Sequence, residues 1–200
     1  MDDSGVYVGS ANLSVTVTEE FVLKALNKLK CDKSPGPDSI HPKLLREAAA
    51  EVVKPLTLIF QKSISEGKLP DDWKKANITP IYKKGSRSEA GNYRPVSLTS
   101  VVCKLLESII RDQILGYLNQ IVFTKAQHGF VQGRYCLMNL LEVLEHWTSS
   151  MDEGYGLDVI HFDYRKAFDT VPYQRLLTKL KMVGITGNLL EWIKDFCTTD

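Results

Sequence analysis

A mixed domain of helices and a few short strands is what this 200-residue sequence predicts. Three observations lead there. Apolar residues recur at helical spacing through Leu44–Phe60 and Val102–Leu118, which makes two long amphipathic stretches. Two β-rich runs, Ala76–Tyr82 and Asn92–Leu98, flank a basic turn in the manner of a hairpin. A third run, Val159-Ile-His-Phe162, is built from β-formers and ends on the carboxylate of Asp163. The length suits one domain or one and a half, and the 44% apolar fraction suits an ordinary globular core.

The elements follow in chain order. Met1–Val17 is small, polar and acidic, and reads as a loose lead-in. Thr18 is a candidate N-cap, with Glu19 and Glu20 favourable to the helix dipole and Phe21, Val22, Ala25, Leu26 and Leu29 as an apolar face. Lys33-Ser-Pro-Gly-Pro-Asp38-Ser-Ile-His-Pro42 carries three prolines and a glycine, so it is a turn-rich loop between helices. Pro42 to about Ser65 reads as one helix, stopped by Glu66-Gly67-Lys68-Leu69-Pro70. Pro70-Asp-Asp-Trp73 opens a short helix; Asp71 and Asp72 read as caps beside a proline rather than a metal pair, since no strand delivers them.

After the hairpin, Thr99 to about Asn119 forms a long helix. Gln127–Arg134, punctuated by Gly129 and Gly133, is a loop leading to a helix at about Leu137–Thr148. Beyond Asp163 the passage Tyr164–Phe168 is tight. A helix start follows, with Asp169 or Thr170 as candidate N-cap and Pro172 in the first turn. Leu176, Leu177, Leu180 and Val183 mark that helix, Gly184 stops it, and Leu189, Leu190, Ile193 and Phe196 mark the last one.

Net charge is +1, so no global field selects nucleic acid. Its distribution is uneven: Trp73–Pro95 holds six bases against Glu89 alone, while the first twenty residues hold four acids and no base. This suggests a basic face for a polyanion, with a solvated charged surface as the plain alternative. Cys31, Cys103, Cys136 and Cys197 are far apart, which argues against a zinc site or a disulfide framework. No apolar run reaches the ~18 residues of a membrane helix. The sequence reads as a soluble intracellular protein, nuclear or cytoplasmic.

A lone aspartate at a strand end facing a loop suits a hard divalent cation, which takes one or two carboxylates and shares the rest with water and phosphates. Asp163 is therefore a candidate metal ligand, and a turn or capping residue is the alternative. A phosphotransferase of the Asp-x-Asp-x-Thr kind is excluded, because position 165 is Arg. His128 and His161 have no metal-ligand spacing and read as structural.

Phe162-Asp-Tyr-Arg-Lys-Ala-Phe-Asp-Thr-Val-Pro172 resembles the first catalytic motif of reverse transcriptases from LINE-type (non-LTR) retrotransposons, of the jockey-like kind. Four further segments resemble the same family in the same order. They are Lys33–Ile40, with Ser39 where the family has Gly; Ile78–Gly85 with Asn92–Leu98; Gln127–Arg134; and Gly184-Ile-x-Gly187. The resemblance implies an α+β, right-hand polymerase fold: a lead-in over 1–32, fingers over 33–150 and the beginning of the palm over 151–200.

It further implies RNA-directed DNA polymerase chemistry with Mg²⁺ or Mn²⁺, an RNA template, a DNA primer and a dNTP. In that reading Asp163 is the catalytic metal ligand. Arg94, Lys83, Lys84, Lys166 and Ala167 meet the incoming nucleotide, and Phe168 excludes a 2′-hydroxyl. Gly129, Gly133 and Arg134 approach the template. The physics agrees for Arg94, whose guanidinium offers paired donors to phosphate, and for glycines that let backbone approach a strand. A solvent-exposed turn is the alternative for the lysines, and a core aromatic for Phe168. The family's Asp-Asp hairpin is expected downstream of Asp200, so these residues alone are not expected to polymerise. Two other readings are a non-catalytic retrotransposon-derived remnant that binds nucleic acid or protein, and a group II intron maturase relative. The Lys-Ser-Pro-Gly-Pro-Asp and Phe-Asp-Thr-Val-Pro segments favour the LINE branch over the maturase.

Overall fold

The computed structural model describes residues 12–121, 126–131, 133–164, 167–168 and 170–198. Their order is α1 (Glu19–Asn27), α2 (Pro42–Glu47), α3 (Ala49–Glu66), β1 (Ala76–Tyr82), β2 (Tyr93–Thr99), α4 (Val101–Ile121), α5 (Cys136–Asp152), α6 (Tyr173–Met182) and α7 (Gly187–Cys197). Short 3-10 turns precede β1 and β2, at Asp71–Lys74 and Ala90–Asn92.

The core is helical. Val22 and Leu26 of α1, Phe60 of α3, Cys103 and Leu106 of α4 and Ile185 before α7 are fully buried, with Trp192 of α7 beside them. Helix α1 packs on α3 and α4, and α7 packs on α3 and α6. Burying a side chain of this size contributes about 1.5–3 kcal/mol, so these few residues dominate the cohesion of the domain. Polar bonds seat α7 as well: Trp192 Nε1 donates to Ser63 Oγ at 3.0 Å, and Ser63 Oγ donates to the Lys68 carbonyl at 2.6 Å. Gly67 closes α3 in the left-handed region at φ 64°, where a side chain would also crowd the Asn188 carbonyl of α7.

Thr18 caps α1 as its sequence predicts, its hydroxyl accepting from Phe21 N at 3.3 Å. Several other expectations are corrected. The lead-in is tied down over its described part: Leu13 N donates to the Gly184 carbonyl, Gln113 exchanges two bonds with Thr16, Gln61 donates to the Val17 carbonyl, and Val17 is buried. The single helix expected over 42–65 is two, because Ala48 leaves helical geometry (ψ 18°) while both Leu45 and Ala49 remain buried. Asp71 and Asp72 cap nothing: Pro70 holds the cap position without a side-chain bond, and Asp72 instead pairs with Lys75 at 2.8 Å.

The run Val159–Phe162 is exposed and forms no strand. A strand needs a hydrogen-bonded neighbour, and among the described residues β1 and β2 pair only with each other. Pro172, not Thr170, is the residue that caps α6, its carbonyl accepting from Leu176 N at 3.1 Å; Asp169 lies outside the described residues. Helix α5 has no buried residue, and Leu137, Leu140, Leu141 and Leu144 face solvent along it. Among the described residues no helix is long and apolar enough to cross a membrane.

Candidate nucleotide and template site

The basic hairpin is an antiparallel pair in which Ile81 opposes Arg94 and Tyr82 opposes Tyr93. Lys83 N continues the ladder by donating to the Asn92 carbonyl at 2.9 Å. Because opposed residues share a face and neighbours alternate, Lys83 and Arg94 stand on the same face and the two tyrosines on the other. Lys84 leaves the ladder in the turn, next to Gly85. Lys83, Lys84 and Arg94 are all exposed.

The tip is rigidly built. Tyr82 and Tyr93 meet edge to face at 5.7 Å, the Arg87 guanidinium lies 5.2 Å over the Tyr82 ring, and Tyr93 Oη donates to the Arg87 carbonyl. Asn92 Nδ2 donates to the Ser86 carbonyl across the turn. Neither tyrosine stood out in the sequence; their opposition across a hairpin was the available signal.

The structure narrows the basic segment. Lys74 reaches Asp195 of α7 at 2.8 Å, and Lys75 reaches Asp72, so two of the six cations are already matched. Burial alone would push the Asp195 carboxyl up. The Leu69 N–H and the Lys74 ammonium outweigh it and hold the group below the usual carboxylate range. Lys83, Lys84, Arg87 and Arg94 remain as the hairpin's outward charge, against Glu89.

The Pro-Gly-Pro loop supports this hairpin from behind. A Cβ on Gly36 would lie 2.5 Å from the Thr99 carbonyl, so the loop runs directly over the junction of β2 and α4. Ser39, at the place where a glycine was expected, adopts φ 57°. Its N–H donates to the Gly36 carbonyl, and Asp38 Oδ1 accepts from Ile40 N. The Asp38 carboxylate and the Ser39 N–H thus hold the left-handed turn that glycine would adopt at less cost.

In the Gln127–Arg134 loop, Arg134 Nη1 donates to the Gln127 carbonyl at 2.6 Å and Gln127 Nε2 donates to the Gly129 carbonyl at 2.9 Å. His128 Nε2 bonds Glu142 of α5 at 2.8 Å, which moors the loop to that helix. Arg134 therefore closes its own loop as well as carrying charge. Gly129 and Gly133 are exposed, the latter at φ 80°.

Asp163 is exposed, and Ala167 and Phe168 lie in the turn beyond it, where the Phe168 carbonyl accepts from Val171 N. Lys166 lies outside the described residues. Asp163 offers a hard oxygen donor of the right kind for a divalent ion. Among the described residues, however, no group of three His, Cys, Asp or Glu side chains is placed to hold one. Two groupings are brought together: Lys83 with Arg94 on the hairpin, and the Gln127–Arg134 loop with Phe168 through Phe130, whose ring meets the Phe168 ring edge-on at 5.9 Å. Among the described residues no hydrogen bond, ion pair or ring contact joins the hairpin to Asp163.

The arrangement of basic hairpin, glycine-punctuated loop and exposed aspartate agrees with direct comparison. Residues 81–199, more than half of the chain, match the family model of reverse transcriptase (RNA-dependent DNA polymerase), and the chain belongs to that family. Its relatives are retrotransposon polymerases. The chain is 30% identical over 177 residues to the RNA-directed DNA polymerase from mobile element jockey of Drosophila melanogaster, covering 82% of this chain and 18% of that protein. It is 28% identical over 164 residues to a probable RNA-directed DNA polymerase from transposon BS of the same organism, covering 81% of this chain and 18% of the relative. A probable RNA-directed DNA polymerase from transposon X-element, also of Drosophila melanogaster, is 29% identical over 152 residues, covering 75% and 17%. The chain thus spans about a fifth of the length of these relatives. It is a segment of a reverse transcriptase domain of retrotransposon type, mixed helix with a small antiparallel sheet. Nothing favours the maturase or the non-catalytic reading.

Proposed function

We propose that this segment supplies part of the nucleotide and template site of an RNA-directed DNA polymerase with a right-hand architecture. Helices α2–α5 and the hairpin serve as its fingers, over about 33–150, with α1 in the lead-in before them, and the chain from 151 onward begins its palm. The observation that carries the proposal is the unbroken family match from the hairpin to beyond Asp163. In the proposed reaction a DNA primer 3′-hydroxyl attacks the α-phosphorus of a dNTP opposite an RNA template, forming the new phosphodiester and releasing pyrophosphate.

Arg94 and Lys83, sharing one hairpin face, engage the triphosphate, with Lys84 adding charge from the turn. Ala167 and Lys166 present backbone donors to it. Gly129, Gly133 and Arg134 border the template strand. Phe168 lies under the sugar and rejects a 2′-hydroxyl by steric clash. Asp163 is one protein ligand to Mg²⁺ or Mn²⁺, its remaining ligands coming from phosphates and from groups beyond the described residues. When bound, such ions neutralise phosphate charge and steady the attacking and leaving oxygens.

The test is primer extension on an RNA template by the full-length chain that carries these residues, with Asp163→Asn and Arg94→Ala variants. Asp163→Asn should abolish extension, and Arg94→Ala should raise the KM for dNTP. Extension undiminished in Asp163→Asn would remove the aspartate from the site.

A further inference from the structure

Phe130 is out of place for a loop residue. It is 87% exposed, bulky, and held at φ 61°, a conformation that non-glycine residues adopt at a cost and that bulky ones rarely adopt. Such an outlier persists only where its surroundings over-determine it. Here they do: Arg134 bonds the Gln127 carbonyl, Gln127 bonds the Gly129 carbonyl, and His128 moors the loop to Glu142 of α5. His128 is itself almost wholly covered. The strained backbone turns the Phe130 ring outward, where it meets the ring of Phe168 edge-on with an interplanar angle of 82°. Phe168 is 79% exposed, in a turn ahead of α6.

We infer that Phe130 is a positioning residue for sugar discrimination: its ring braces Phe168, so that the template loop sets how firmly the 2′ position is policed. The inference rests on the reading of Phe168 as the sugar gate. A gate works by refusing to move when the wrong substrate presses on it. An aromatic side chain on an exposed turn can rotate away; one with a second ring against its flank resists. The loop that borders the template thereby reports to the nucleotide site, and the His128–Glu142 contact keeps the brace in place.

The experiment measures kcat/KM for a dNTP and the matching rNTP in single-nucleotide extension by the full-length chain. The variants are Phe168→Val, Phe130→Ala, Phe130→Tyr and the double Phe130→Ala/Phe168→Val. Phe168→Val should raise ribonucleotide use; if it does not, the gate reading fails and the brace fails with it. Given that result, Phe130→Ala should shift the ratio toward rNTP by roughly 2- to 10-fold, the range that one aromatic pair supplies. Phe130→Tyr should retain selectivity, and the double variant should be no more permissive than Phe168→Val alone. A relaxed Phe168→Val with an unchanged Phe130→Ala overturns the brace while leaving the gate intact, and so does an additive double variant. A readout independent of turnover is the ¹⁹F resonance of 4-fluorophenylalanine at 168 in the 200-residue chain. Phe130→Ala should move it, and an unmoved resonance overturns the contact.

Discussion

Salt dependence of nucleic-acid binding tests how many of the basic residues between Trp73 and Pro95 are available. Six cations lie there, but Lys74 is matched by Asp195 and Lys75 by Asp72, which leaves Lys83, Lys84, Arg87 and Arg94. A single strand releases about 0.7 counterion per neutralised phosphate. Four contacts then give a log–log slope of about −2.8, a loss of roughly 50-fold in affinity between 50 and 200 mM salt, where six would give a slope near −4 and a loss of roughly 300-fold. Fluorescence anisotropy of a labelled homopolymer titrated with the 200-residue chain measures the slope. Changing Lys83, Lys84 and Arg94 to Ala together should flatten it by about 2.1, the share of three contacts. Lys75→Ala should leave it unchanged, because Lys75 already shares its charge with an exposed acid. Binding that ignores salt, or a slope that falls with Lys75→Ala, would refute the reasoning.

Gly36→Ala should destabilise the domain by about 1–3 kcal/mol, because its Cβ meets the Thr99 carbonyl, whereas Ser39→Gly should be neutral to stabilising by about 0.5 kcal/mol as relief of the left-handed backbone offsets the looser unfolded chain; denaturant titration of tryptophan fluorescence ranks the two. Asp195→Asn should lower the melting temperature by about 2–4 °C for each kcal/mol lost with the Lys74 pair. Because the folded Asp195 carboxyl is held low, its contribution is present above its unfolded pKa of about 3.9 and is lost as pH falls through the lower folded value. Melting curves from pH 6 down to 2 should therefore fall less steeply in the Asn variant. Expressed by themselves, the 200 residues should not extend a primer with Mg²⁺ or Mn²⁺, since among the described residues Asp163 has no second ligand beside it; extension that disappears in Asp163→Ala would show otherwise.

What the sequence determined by itself was whatever repeats or is written locally. Apolar spacing marked α1, α3, α4, α6 and α7, because a 3.6-residue period lies within one helix and needs no partner to be read. The Thr18 cap, the Gly67 stop and the hairpin were legible for the same reason: each signal lies within a few residues of its effect. The family, too, was written in short ordered motifs. The tertiary structure decided what depends on residues far apart in the chain. The lead-in is ordered by Gln113 and Gly184, about a hundred and more residues away, and Lys74 is matched by an aspartate near the end of the chain. The same applies to Val159–Phe162, whose β-propensity is plain but whose strand requires a neighbour's hydrogen bonds. Phe130 is the sharpest case. Its sequence context describes a loop, and only the reversal of its φ, held by three side chains, turns its ring onto Phe168. Local propensity acts through one residue's own backbone, while charge matching, strand pairing and ring contacts are properties of pairs, and a pair exists only once the chain has folded.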